Sequence, residues 1–470
     1  MDKALLTQSV TDLAQLIKKK EISPVEVTQN LLDYINQSNN QTNAYISITA
    51  DTALKCAKEA EKEISSGNYK GVFHGVPLAV KDNIYFENEV TTMASKIHRD
   101  FVPKDDATVT SRLKEAGAIF TGKLNMHEYA WGIDNNNPHF GAVHNPWDPD
   151  RVPGGSSGGS GAAVASHSTY SSLGTDTAGS IRIPSSACGI VGLKPTHGRV
   201  SKYGVYPLAW SLDHIGPMSK TVADAAAMME VIAGFDKRDP TCADVPVSSY
   251  LAGLNGDVKG LRIGINEEYF FKDVDGPVEK AVRERIADLE KLGANVITMS
   301  MPSMRHAEWV ELATSLSEAS AIHHRDLQTR PQDFGADIRL LFELGELFSG
   351  VDYLQAQQIR RQIKQEFDQA LQEVDVIIAP TLPFIPPIIG DDKVTINGKQ
   401  MDFIENCIRF TGPSNLTGLP ALSVPGGISD GMPIGLQIIG RAFDEARLLN
   451  VGQAIETMKP MGDHQPIIMP

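Results

Sequence analysis

Residues 153–165 read PGGSSGGSGAAVA, and the use made of this Gly/Ser run decides the fold. Four uses compete. A flexible linker joins independent units in polar surroundings. This stretch instead runs straight into small apolar residues and is stiffened at its entry by Pro153. A phosphate cradle needs GxxxxGK[ST] or GxGxxG at the end of a strand. No Lys follows these glycines, Gly159 and Gly161 are followed by Val164, and the residues leading in, NPWDPDRVP, are not a strand. Gly154 to Gly158 satisfies GxSxG, but that elbow is a strand-to-helix turn, and the strand is again missing.

The fourth use combines separated segments. After the loop comes TDTAGSIRIP, in which Ser180 follows Thr177, Ala178 and Gly179. Small residues there let several backbone N–H groups converge on one point, as an oxyanion requires. A serine beside such a nest is a candidate nucleophile if something removes its proton. Of the 12 histidines, none stands in a recognisable pairing with Ser and Asp. Lys81 is the other candidate base. It ends the apolar run VPLAV, and burial there would disfavour its charged form and free an amine to accept a proton.

Together, GVPLAVKDNI (75–84), PGGSSGGSGAAVA and LGTDTAGSIRIPSSACGIVGLKPTHGRVS resemble the amidase signature family. The spacing agrees, with 75 residues from Lys81 to Ser156 and 24 from Ser156 to Ser180. The likeness continues in SLDHIGPMSKTVADAA and returns in NLTGLPALSVPGG. It implies a Ser–cis-Ser–Lys triad: Ser180 as nucleophile, Ser156 as bridging serine after a cis peptide, Lys81 as base. Thr177, Ala178 and Gly179, with the Ser180 amide, would form the oxyanion hole. Many members have Gly-Gly before the nucleophile, so Ala178 is expected at an ordinary, negative φ. No cofactor and no metal is implied.

The rest of the chain reads as α/β, a large mixed and mostly buried sheet surrounded by helices. Residues 9–36 give two amphipathic helices, with Leu13, Leu16 and Ile17 on one face and Ser23-Pro24 opening the second. A helix is expected over 53–64, a helix, Gly turn and strand over 109–125, and a long loop over 133–160. A strand–helix–strand unit follows at 261–301, then largely helical residues 337–371, a strand at 374–380, and two closing strands in PALSVPGG and IGLQIIG. No interdomain linker stands out, so residues 1–470 are expected to form a single amidase domain around a signature core at about 70–230.

Composition narrows the setting. The net charge of −15 argues against direct binding of nucleic acid or an anionic membrane. No run of about 18 apolar residues occurs, and the opening MDKALLTQSVTDLAQLIKKK lacks the apolar core of a secretory leader. Four scattered cysteines without a CxxC pair fit a reducing cytoplasm better than a disulfide framework or a zinc site.

The expected activity is hydrolysis of a small-molecule amide, carbamate or ester, with self-association into a homo-oligomer left open. In the family likeness Trp131 and Gly132, in YAWGIDNNNPHFG, line the acyl pocket. The rival is the branch that hydrolyses glutamine within a tRNA-dependent amidotransferase, as its A subunit. There an acid before NLxG holds the glutamine amino group and an Arg holds its carboxylate. Here Ile408 stands where that acid would be, Asp402 and Glu405 are near, and Arg339 matches the Arg. Ile408 is the departure, and standalone amidases often carry an Arg at the place of Arg339, so a standalone hydrolase is favoured. A third reading is an inactive binding module of the same fold, which loss of a triad residue would support; all three are present.

Overall fold

The computed structural model describes residues 2–470. Local chemistry sets the first helices. The Ser23 hydroxyl accepts the Val25 N–H and Pro24 occupies the first turn of Pro24–Thr42, so both unpaired-donor problems at that end are met. The preceding helix, Val10–Lys18, is capped by Ser9 and buries Val10, Leu13, Ala14 and Ile17.

Eleven strands form one mixed sheet. From one edge the order is Tyr45–Ile48, Ile119–Leu124, Pro77–Lys81, Ser171–Asp176, His214–Ser219 and Val191–Lys194. It continues through Ala421–Ser429, Met432–Gly440, Val376–Pro380, Arg262–Ile265 and Asn295–Thr298. Pro77–Lys81 is parallel to both its neighbours, while Ala421–Ser429 and Met432–Gly440 form a long antiparallel hairpin. Every residue of Pro77–Lys81, Ile119–Leu124 and Ser171–Asp176 is buried. Burial on both faces explains why these strands read as unbroken runs and not as alternations.

Two boundaries differ from expectation. The loop over 133–160 ends early, because Gly158–Ala165 is already helix, and TDTAGSIRIP is broken by a helix that begins at Arg182. Both helices are buried on every side and carry no apolar stripe, so periodicity gives no signal for them. The long helix Ala307–Thr329 also has no counterpart in the sequence reading.

The sheet brings distant segments to one edge. Because Pro77–Lys81 and Ser171–Asp176 run parallel, with Val80 opposite Leu173, their C-terminal ends meet on the same side. Lys81 and Thr175 arrive there side by side. The loop before Gly158–Ala165 and the turn 177–181 close over them.

Candidate active site

Lys81 is fully buried, and its Nζ is hydrogen-bonded to Ser156 Oγ at 2.8 Å and to Thr175 Oγ1 at 2.8 Å. Burial pulls its pKa down to about 7, although Asp176 and Asp213 pull the other way. A substantial fraction of this amine is therefore neutral near neutral pH. The Gly155–Ser156 peptide bond is cis, and the Ser156 carbonyl accepts the His127 N–H. Gly159, one turn on, needs its missing side chain: a Cβ there would lie 2.3 Å from the Asn125 carbonyl.

Ser180 sits in the turn between the strand Ser171–Asp176 and the helix Arg182–Cys188, 7% exposed. Among the described residues, no hydrogen bond joins Ser180 Oγ to Ser156 Oγ, so Lys81 and Ser156 are linked while Ser180 stays free. The N–H groups of Ala178, Gly179 and Ser180 donate to no acceptor among the described residues either. The Ala178 carbonyl accepts the Thr411 hydroxyl. Peptide planarity then turns the Gly179 N–H to the side opposite Thr411. Gly179 has φ +138°, and a Cβ there would lie 2.3 Å from Thr411 Oγ1. Ala178 is not among the positive-φ residues, in keeping with the negative φ that its side chain favours. Thr177 Oγ1 donates to Asp213 at 2.6 Å.

The turn is anchored by residues that the sequence reading did not single out. Asp176 and Arg182 are both fully buried, and the guanidinium donates two hydrogen bonds to the carboxylate, of 3.0 and 2.9 Å. The guanidinium also reaches the Thr411 carbonyl, Ser414, Asn415 and Gln437. Burial alone would raise the Asp176 pKa, but the Arg182 charge and hydrogen bonds outweigh it and hold the carboxyl below its usual range. Two opposite charges six residues apart in a run of small residues were the available signal. Thr175 was missed because a threonine in a strand looks like any other.

Beside Ser180 lies a cavity of about 320 Å³, lined in part by Trp131, Gly132, Thr177, Ala178, Ser180 and Ile408. Trp131 and Gly132 line this cavity together with Ser180. Gly132 has φ +98°, and a Cβ there would strike the His127 ring at 2.4 Å. His127 lines the cavity too, but as a tie. Its Nδ1 lies 3.0 Å from Asp134 and its Nε2 2.9 Å from Asp337. Burial would lower its pKa, yet the two carboxylates outweigh burial and raise it to about 9. A protonated, doubly engaged imidazole is a poor base. Arg339 is not on the cavity wall; it is partly exposed on the helix Ala336–Gly345 beside Glu343. Asp402 does line the cavity, from the cap of the helix Phe403–Ile408.

Comparison with known proteins defines the class as hydrolases acting on C–N bonds. The Amidase family model matches residues 26–449, and the chain belongs to the amidase signature family. A relative, the A subunit of glutamyl-tRNA(Gln) amidotransferase from Carboxydothermus hydrogenoformans, is 41% identical over 95% of this chain and 96% of its own length. The structure of the corresponding protein from Thermotoga maritima is 34% identical with a TM-score of 0.83, covering 100% of this chain and 98% of that one. A structure described with a vestigial protein complex and the origins of an s-triazine catabolic enzyme is 33% identical. It has a TM-score of 0.93 and covers 97% of this chain and 99% of that one.

These relatives correct one expectation. A lone enzyme on a free small molecule, with no nucleic acid and at most a homo-oligomer for company, does not fit relatives that are subunits of an enzyme named for a tRNA-linked substrate. Net charge misled here, because in an enzyme of several subunits a catalytic chain need not itself hold the RNA. Partner contacts also leave no motif in a single chain. Among the described residues no helix is long and apolar enough to cross a membrane, and all four cysteines are free.

Proposed function

We propose that this chain is the glutamine-hydrolysing component, the A subunit, of a tRNA-dependent amidotransferase, working in the cytoplasm as one amidase domain. The observation that carries the reading is the 41% identity to such proteins along almost the whole of both chains.

The side chains have the parts for the chemistry. Neutral Lys81 accepts the Ser156 proton while Ser156 takes the proton of Ser180, whose Oγ bonds to the amide carbon. The negative charge that forms on the carbonyl oxygen meets the free N–H groups of the 178–180 turn. Collapse of this intermediate breaks the C–N bond. The proton returns from Lys81 through Ser156 to the leaving nitrogen, which departs as ammonia. Water then cleaves the ester on Ser180 by the same relay. Trp131 and Gly132 shape the wall beside the acyl group. The same relay would also cleave a carbamate.

The test is ammonia release from glutamine by the purified chain, alone and with the partner subunits and glutamyl-tRNA(Gln) from the same source. Release that rises strongly with the full assembly supports the reading. Absence of glutamine hydrolysis in every combination overturns it.

A further inference from the structure

Glu311 is a buried carboxyl in the cavity that the chemistry above leaves without work. It is carried by the helix Ala307–Thr329, is 2% exposed and lines the same cavity as Ser180. Among the described residues neither of its carboxyl oxygens has a hydrogen-bond partner. The cations nearest in charge are committed elsewhere. Arg182 is held by Asp176 and Gln437, and Arg360 donates to the Leu416 carbonyl and to Ser211. An unpaired buried carboxyl costs stability, so packing gives no reason to keep one there.

We propose that Glu311 is a specificity residue that receives the ammonium group of the substrate. The segment before NLTG presents Ile408 to this cavity, and the buried carboxyl comes from a different element, the helix Ala307–Thr329. No Lys or Arg lines the cavity; His127 is already engaged by Asp134 and Asp337, and Asp391, Asp392 and Asp402 add further carboxylates. The lining therefore favours a cationic ligand over an anionic one. Burial also pushes the Glu311 carboxyl well above its usual range, so its ionised form needs an incoming positive charge. Recognition by ammonium, with the substrate carboxylate contributing little, is the result. This rests on amide hydrolysis at Ser180 but not on glutamine being the natural substrate.

Four amides separate the two charges of glutamine: glutamine itself, 4-aminobutanamide with the ammonium alone, glutaramate with the carboxylate alone, and butanamide with neither. Ammonia release by the full chain should give 4-aminobutanamide a kcat/KM about 10- to 100-fold above butanamide, and place glutaramate no higher than butanamide. Glu311→Gln, close in shape, should shrink the first ratio to within about twofold, and Glu311→Asp should retain part of it. The same ligands are also followed by NMR saturation transfer on the Ser180→Ala chain, which reads binding without turnover. An ammonium preference that survives Glu311→Gln in a folded protein, or a preference for glutaramate, overturns the proposal. If 4-aminobutanamide is selected through Glu311 while glutamine is not hydrolysed, the glutamine reading fails and this one stands. If no amide turns over, the binding ratio in Ser180→Ala with and without Glu311→Gln decides it by the same criteria.

Discussion

Lys81 Nζ and Ser156 Oγ lie 2.8 Å apart with both side chains fully buried, although 75 residues separate them. The strand Pro77–Lys81 delivers one partner and the loop ahead of the helix Gly158–Ala165 delivers the other. In the proposed mechanism turnover depends on this contact and on the residues that support it.

The pKa of Lys81, lowered to about 7 by burial, makes the free enzyme gain a base as pH rises through that value. Amide hydrolysis should therefore rise with pH, half-way at about 7, and then level off. Lys81→Ala should lower kcat/KM by about 10²- to 10⁴-fold and remove the rise. A variant that keeps the wild-type pH profile would remove Lys81 from the proton path.

Ser180→Ala should abolish both turnover and labelling by a fluorophosphonate, with the melting temperature close to wild type. Ser156→Ala should block turnover nearly as well as Lys81→Ala, and the double variant should lose little more than either alone, because a relay fails as a unit. Simple additivity of the two losses would show that Lys81 and Ser156 act separately.

Arg182→Met should destabilise the protein by about 3–5 kcal/mol, since it leaves the Asp176 carboxylate buried without its cation. The measurement is the urea midpoint at neutral pH. A change within error would mean that Asn415, which donates to Asp176 at 2.9 Å, is enough to hold the turn.

Against the downward pull of burial, two carboxylate partners raise the pKa of His127 to about 9, above its ordinary value of 6.5. Its charged form is then favoured by folding. The stabilisation is fully present below about pH 6.5 and is lost as pH rises through about 9. Wild type should melt above His127→Gln at pH 6, and the gap should close toward pH 10. A gap that does not change with pH would mean that His127 acts by packing alone.

Gly132→Ala should cost about 1–3 kcal/mol, because φ is +98° there and the new Cβ would meet the His127 ring at 2.4 Å. Thermal melting checks this, and hydrolysis should weaken too, as Gly132 and Trp131 share the cavity wall.

Much of this was legible along the chain. The apolar run ending at Lys81, the Gly/Ser loop and the Ser180 turn are local patterns, and Ser23-Pro24 marks a helix start by its own chemistry. A helix of small residues was legible in GAAVASH, but the early start of Gly158–Ala165 and the whole of Arg182–Cys188 were not: a helix buried all round shows no 3.6-residue stripe. Partners were illegible too, since the chain's acidity speaks of its average surface and not of one interface.

By itself the sequence determined the α/β class, the order of the motifs and the residue types at 81, 156 and 180. These depend on local spacing, which any reading of the chain can measure. Only the tertiary structure decided that Thr175 shares the Lys81 amine, that His127 is spent between Asp134 and Asp337, and that Glu311 stands unpaired in the cavity. Burial and pairing depend on segments far apart in the chain, 210 residues for His127 and Asp337. A charged side chain is satisfied or idle according to what the fold places beside it.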